Sequence, residues 1–245
     1  MKIRSFFFQL FETVKKHPLR AILVLGFFHG LIYVFMIPLW WHHEEPGHFE
    51  YVWLAANREE WPQLGEYDND LRKEIAESMF ASGQENLFNV SPRSLDDDPI
   101  YIGGSPVGRK GVYYWLASWP IKLVRDQSVV LQLYITRLIS LLLFLVSIWL
   151  AWLFMGELVN KRHPLRWMLP FFLALLPGYL DNMTSVHDDV LGGVVAALFL
   201  WLSVRGIKQG FSILSFIGWI ISVVLCFYSR DTTVPLVFLA PLVPI

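Results

Sequence analysis

The chain reads as long uncharged apolar blocks separated by charged links. Ala21 to Trp41 holds 21 residues without Asp, Glu, Lys or Arg. At about 1.5 Å per residue, that length crosses a hydrocarbon core of about 30 Å. Trp40 and Trp41 close the block as interfacial aromatics do. Leu138–Gly156 and Phe211–Ser229 are uncharged over 19 residues each. Trp167–Leu180, Val190–Val204 and Thr232–Ile245 are shorter. The first two flank the polar segment Asp181–Asp189, which is expected near or within the membrane boundary, because each needs more residues to span. The pattern predicts an all-α polytopic membrane protein with five to six transmembrane helices. They are placed at 21–41, about 130–156, about 167–183, about 187–204 and 211–229, with a short sixth in 232–245. That last run reaches Ile245 without a closing flank, so a chain continuing into further spans is expected.

Positive charge orients these spans. Residues 1–20 form a basic, aromatic segment with Lys2, Arg4, Lys15, Lys16 and Arg20, expected as an amphipathic helix on the cytoplasmic face. Lys161, Arg162 and Arg166 in one link, and Arg205 and Lys208 in another, fall on the same side. The opposite, outer side then receives 42–110, which holds 14 of the 21 acidic residues and six basic ones. This acidic loop is expected to carry membrane-surface helices, with Trp53, Trp61, Tyr113, Tyr114 and Trp115 at headgroup level. Residues 111–245 make the helical bundle. The localisation expected is the plasma (inner) membrane, multi-pass, with a cytoplasmic N-terminus.

Composition narrows the function classes. Hydrophobic residues are 55% and charged residues 17%, with a mean hydropathy of +0.45. A soluble domain carries roughly 25% charge, so a soluble enzyme is excluded. Disorder is excluded by the same apolar content. Net charge is −1, which gives no basic field for nucleic acid. The single cysteine, Cys226, can form neither an internal disulfide nor a zinc-finger pattern.

Three polar clusters remain for chemistry. His42-His43-Glu44-Glu45-Pro46-Gly47-His48 follows the first span. Two adjacent carboxylates there repel and lose solvation, which suits a general base. Glu45 and His48 share a helix face, and the three histidines with the two glutamates of this run could ligate zinc or manganese. The bland reading is a solvated helix-capping loop. Asp181 to Asp189 joins two short apolar helices on the same outer side, and ionisable groups at that depth face a cavity or a partner. Its bland reading is a polar turn with Asp188 or Asp189 as N-cap. The third set is cationic: Arg109, Lys110, Arg137 and Arg230, suited to phosphate or to snorkelling. His29 with Gly26 and Gly30 predicts close helix packing inside the first span.

In order along nearly the whole chain, these features resemble the GT-C superfamily of membrane glycosyltransferases, including protein O-mannosyltransferases and aminoarabinose transferases. The family's acidic pair after the first span is matched by Glu44-Glu45, with Glu where Asp is usual. Its Tyr-Tyr-Trp-Leu-like segment is matched by Tyr113-Tyr114-Trp115-Leu116, although the preceding Pro-Pro is absent. Arg137-Leu138-Ile139-Ser140, His187-Asp188-Asp189 and Arg230 match the later elements. The family has about twice as many spans, so the likeness is to its N-terminal part.

The resemblance implies inverting transfer of a sugar from a polyprenyl-phosphate donor to an acceptor hydroxyl on the outer face. Glu44 would be the base. Glu45 and Asp188 would hold the acceptor or a divalent cation. Arg230, Arg137, Lys110, His48 and Asp189 would line the substrate site. No other cofactor is implied, and the acceptor stays open. Two rival readings follow from the same residues: a non-catalytic membrane scaffold subunit derived from that fold, and a pigment- or quinone-associated subunit using His29.

Overall fold

The computed structural model describes residues 15–83, 95–109 and 111–243, and among these the chain is all-helical. Lys110 and most of the basic N-terminal segment lie outside the described residues.

Among the described residues three helices are long and apolar enough to cross a membrane: α1 (Pro18–Met36), and two that follow later in the chain, Val129–Leu158 and Asp189–Gln209. Between them come α2 (Glu45–Asn57), α3 (Asn69–Ala81) and α4 (Val112–Leu123), then α5 (Val129–Leu158). The chain continues through α6 (Leu165–Leu175), α7 (Pro177–Thr184), α8 (Asp189–Gln209) and α9 (Ile213–Ser229). A run of 3-10 turns with the four-residue α10 (Val234–Val237) follows. The sixth apolar run is therefore a short apolar helical segment, Asp231–Leu242, built of mixed 3-10 and α turns.

Helix α5 is the hub, packing on α1, α6, α7 and α8. Gly26 and Gly30 of α1 allow its backbone to lie against α5. A Cβ at Gly30 would come within 2.3 Å of the end of Leu141, and one at Gly26 within 2.9 Å of Ile148. Small residues at such contacts let two apolar helices approach and gain dispersion energy where no hydrophobic effect operates. The helices alternate in direction, so the links 159–164 and 210–212 share one end of the bundle. There Glu157 takes Arg205 at 3.0 Å and Gln209 at 2.5 Å.

Two expected spans differ in detail. The first ends at Met36, not Trp41, because Ile37 turns extended and Pro38 follows. The carbonyls released there are collected by Arg137, which donates to Val34, Ile37 and Pro38 at 3.0–3.1 Å. The span expected at 167–183 is broken at Leu176 by Pro177, which has no N–H to continue the ladder. The break frees the carbonyl of Ala174, and His29 Nδ1 meets it at 3.0 Å. An unpaired carbonyl in lipid costs several kcal/mol, so this contact explains a histidine inside a span.

The long link after α1 also differs from a set of surface helices. Helix α2 is buried along nearly its whole length, packed under α4. Trp61 and Trp115 remain exposed, as headgroup-level residues would be, but Tyr113 and Tyr114 are fully buried. Their hydroxyls are held by Ser140 at 2.8 Å and His48 at 2.7 Å, which makes inward burial affordable for both phenols.

Candidate functional site

The start of α2 and the start of α8 meet at the end of the bundle where α1 stops. Glu44 caps α2 in the left-handed region, with φ of 53°. A bulky non-glycine residue there is uncommon and is held by its surroundings. The loop at Gly104 supplies them: a Cβ at Gly104 would lie 3.4 Å from Glu44 Oε1, and one at Gly47 would lie 1.8 Å from the Gly104 carbonyl. Gly47 is required for α2 to pass beneath this loop.

One turn into α2, His48 Nε2 lies 3.9 Å from Glu44 Oε2, and its Nδ1 faces the Tyr114 hydroxyl. The His48 ring stacks on His187 with centroids 3.9 Å apart. His187 Nδ1 accepts the Asp189 backbone N–H at 3.1 Å and lies 3.2 Å from Asp188 Oδ1. Arg230, at the end of α9, binds Asp188 through Nη1 and meets Asp189 through Nε at 3.1 Å. A small cleft opens beside this pair, lined by Arg109, Asp188, Arg230 and Asp231. The structure thus brings together Glu44, His48, Asp188, Asp189 and Arg230, which are far apart in the chain.

Glu45 and Arg137 stand apart from that group. Both side chains are fully buried, and the guanidinium holds the carboxylate at 2.8 and 2.6 Å. With three backbone carbonyls besides, Arg137 uses all of its N–H groups internally. Neither residue is free to touch an acceptor, a cation or a lipid phosphate. The sequence-based placement of Glu45 among catalytic and metal ligands, and of Arg137 among phosphate binders, is corrected to a structural pair. A second buried pair, Glu50 with Arg72 at 2.5 and 2.9 Å, ties α2 to α3 in the same way.

Burial sets the protonation of the site. It pushes His48 down to about 2, assisted by the neighbouring His187 and Arg230 charges. It pushes His187 down to about 4, with Asp189 opposing and Arg230 assisting. Burial raises the Asp188 carboxyl, and the Arg230 guanidinium opposes that shift. Both histidines are therefore neutral near pH 7, and the one lone-pair nitrogen of His187 already accepts the Asp189 N–H. Glu44, His48 and His187 each offer one ligand atom, all within 4.8 Å of one another. Two imidazoles and a carboxylate are donor types that suit Zn²⁺ or Mn²⁺, and ligation by His187 requires it to give up the Asp189 N–H or change tautomer. Of the histidines and glutamates that the first cluster offered, Glu44 and His48 belong to this set and Glu45 does not. Asp188 groups instead with His187 and Asp189.

His187 and Tyr114 are the residues that sequence reasoning left out of the site. His187 was visible as the neighbour of Asp188. Tyr114 was visible in the Tyr-Tyr-Trp-Leu segment but was expected at headgroup level, not against His48.

Residues 27–245 match the family described as predicted membrane protein (DUF2142). The chain belongs to that family. No curated protein and no solved structure matches it. The DUF2142 match begins within α1 and includes every residue of the cluster, so the family and the helices agree on a polytopic membrane protein.

Proposed function

We propose that this DUF2142 protein is a glycosyltransferase that moves a sugar from a polyprenyl-phosphate donor to an acceptor hydroxyl. The reading places it in the plasma (inner) membrane, with a cytoplasmic N-terminus and the site on the outer face. The observation that carries it is the meeting of Glu44 with the Asp188–Arg230 pair through His48. A hydroxyl nucleophile needs a base, and a leaving phosphate needs a cation. Glu44 takes the acceptor proton as its oxygen attacks the anomeric carbon. The bond from that carbon to the phosphate oxygen breaks, and the lipid phosphate leaves with the electron pair. Arg230 stabilises it through Nη2, since Nη1 and Nε already face Asp188 and Asp189. Arg109 stands on the same cleft as a second cation. A divalent cation on Glu44, His48 and His187 would supply further charge stabilisation.

The test is transfer by the full chain in liposomes, offered a panel of polyprenyl-phosphate sugars and membrane acceptors. Glu44→Gln should abolish turnover and leave donor binding nearly intact. Arg230→Ala should weaken donor binding as well. Equal turnover by Glu44→Gln and the unaltered protein would sink the assignment. One observation favours a second reading: Arg230 is already neutralised by two carboxylates beside a narrow cleft, as a non-catalytic scaffold subunit would have it. That reading gains if the protein binds no polyprenyl phosphate yet is required for assembly of a partner complex.

A further inference from the structure

At the end of the bundle opposite the site, α1 and α6 part to form a cavity of about 620 Å³. That size falls in the range of about 300–1,000 Å³ found for ligand sites. Its walls are apolar: Ile22 from α1, and Trp167 and Phe171 from α6. Ile22 is buried, while Trp167 and Phe171 are 45% and 38% exposed, so the cavity opens along the flank that faces lipid. Its rim carries Lys15, Lys161 and Arg162.

Two of the rim cations, Lys161 and Arg162, have no counter-charge among the described residues. Glu157, in the last turn of α5, is the nearest carboxylate in sequence, and it is taken by Arg205 and Gln209. Arg166 turns to the Trp152 ring, 5.3 Å away. Among the described residues, neither Lys161 nor Arg162 has an ion-pair partner. Basic groups above an apolar cleft between spans complement a molecule with one anionic head and an apolar tail. A zwitterionic headgroup brings its own cation and gains less.

We propose that this cavity binds an anionic phospholipid, its headgroup phosphate held by Lys161 and Arg162 and one acyl chain lying against Ile22, Trp167 and Phe171. The proposal is independent of the sugar-transfer reading, because no residue is shared with that site.

The experiment uses the full chain, purified in mild detergent and titrated with phosphatidylglycerol or phosphatidylcholine of identical acyl chains. Bound lipid is counted by native mass spectrometry. A third arm offers glycerol phosphate, the head without the tail. A Lys161→Glu/Arg162→Glu double variant is compared with a Lys122→Glu/Arg125→Glu control at the other end of the bundle. Both pairs are exposed and tryptophan emission checks the fold. Retention of phosphatidylglycerol over phosphatidylcholine is expected, and at least about 25-fold weaker retention in the Lys161/Arg162 variant, since losing each cation costs about fivefold and the added carboxylates repel the phosphate further. The control should keep the preference. Equal retention of the two lipids, an unchanged Lys161/Arg162 variant, or full displacement by glycerol phosphate alone would each overturn the proposal. The last outcome would identify a soluble phosphate ligand instead.

Discussion

Arg137 and Glu45, 92 residues apart in sequence, are joined by two charge-assisted hydrogen bonds with no solvent access to either side chain. The pair fastens the end of α1 and the start of α2 to α5. Removing one partner leaves an uncompensated buried charge, which costs about 3–5 kcal/mol. Arg137→Met should therefore destabilise strongly in thermal unfolding of the detergent-solubilised protein. The Arg137→Met/Glu45→Met double variant should lose less than the two single losses combined, because no orphan charge remains. By contrast, Glu44→Gln at the half-exposed neighbour should leave the unfolding midpoint nearly unchanged.

Gly47 provides a second test. An added Cβ would collide with backbone atoms of Gly104, which cannot rotate away as a side chain can. Gly47→Ala should cost about 1–3 kcal/mol, the range for overpacking. Gly178→Ala on α7, where a Cβ meets nothing within 4 Å, should be neutral or slightly stabilising. The comparison is read from the two unfolding midpoints.

Acid should weaken the fold through His48 and His187. Their folded values, about 2 and about 4, lie below the ordinary value of 6.5. Between those values the unfolded chain binds more protons, so stability is full above pH 6.5 and falls as pH drops toward 4. His187→Gln should flatten part of that fall. An identical pH profile for His187→Gln and the unaltered protein would count against the assignment.

Topology is checked by labelling. Cys226 is fully buried and gives no background. A cysteine at exposed Gln63 should react with a membrane-impermeant reagent from outside, and one at exposed Asn160 should not. The reverse pattern would put the site on the cytoplasmic face and remove the functional proposal with it.

The apolar blocks made the helices legible in the sequence, since length and lack of charge are local properties. What was not legible depended on partners far along the chain. Nothing near Trp40 announces that α1 stops at Met36, because the group that takes up its last carbonyls is Arg137. Glu44 and Glu45 look alike as neighbours. Only the αL turn at Glu44 sends the first carboxylate toward His48 and the second into the core. The grouping of Glu44, His48, Asp188 and Arg230 could be anticipated from their shared membrane boundary. The role of Tyr114 could not, because a buried phenol and an interfacial one have the same sequence signature.

The rings of Tyr51, Tyr114, His48 and His187 stand in a continuous column, with successive centroids 4.0, 5.8 and 3.9 Å apart. Tyr51 donates to the Arg109 carbonyl at 3.0 Å, and Tyr114 is fixed to His48. No ring in the column can change rotamer without displacing the next. The rotational entropy of the two imidazoles is therefore surrendered when the chain folds, not when a ligand arrives, so an incoming ligand meets a surface whose freedom is already gone.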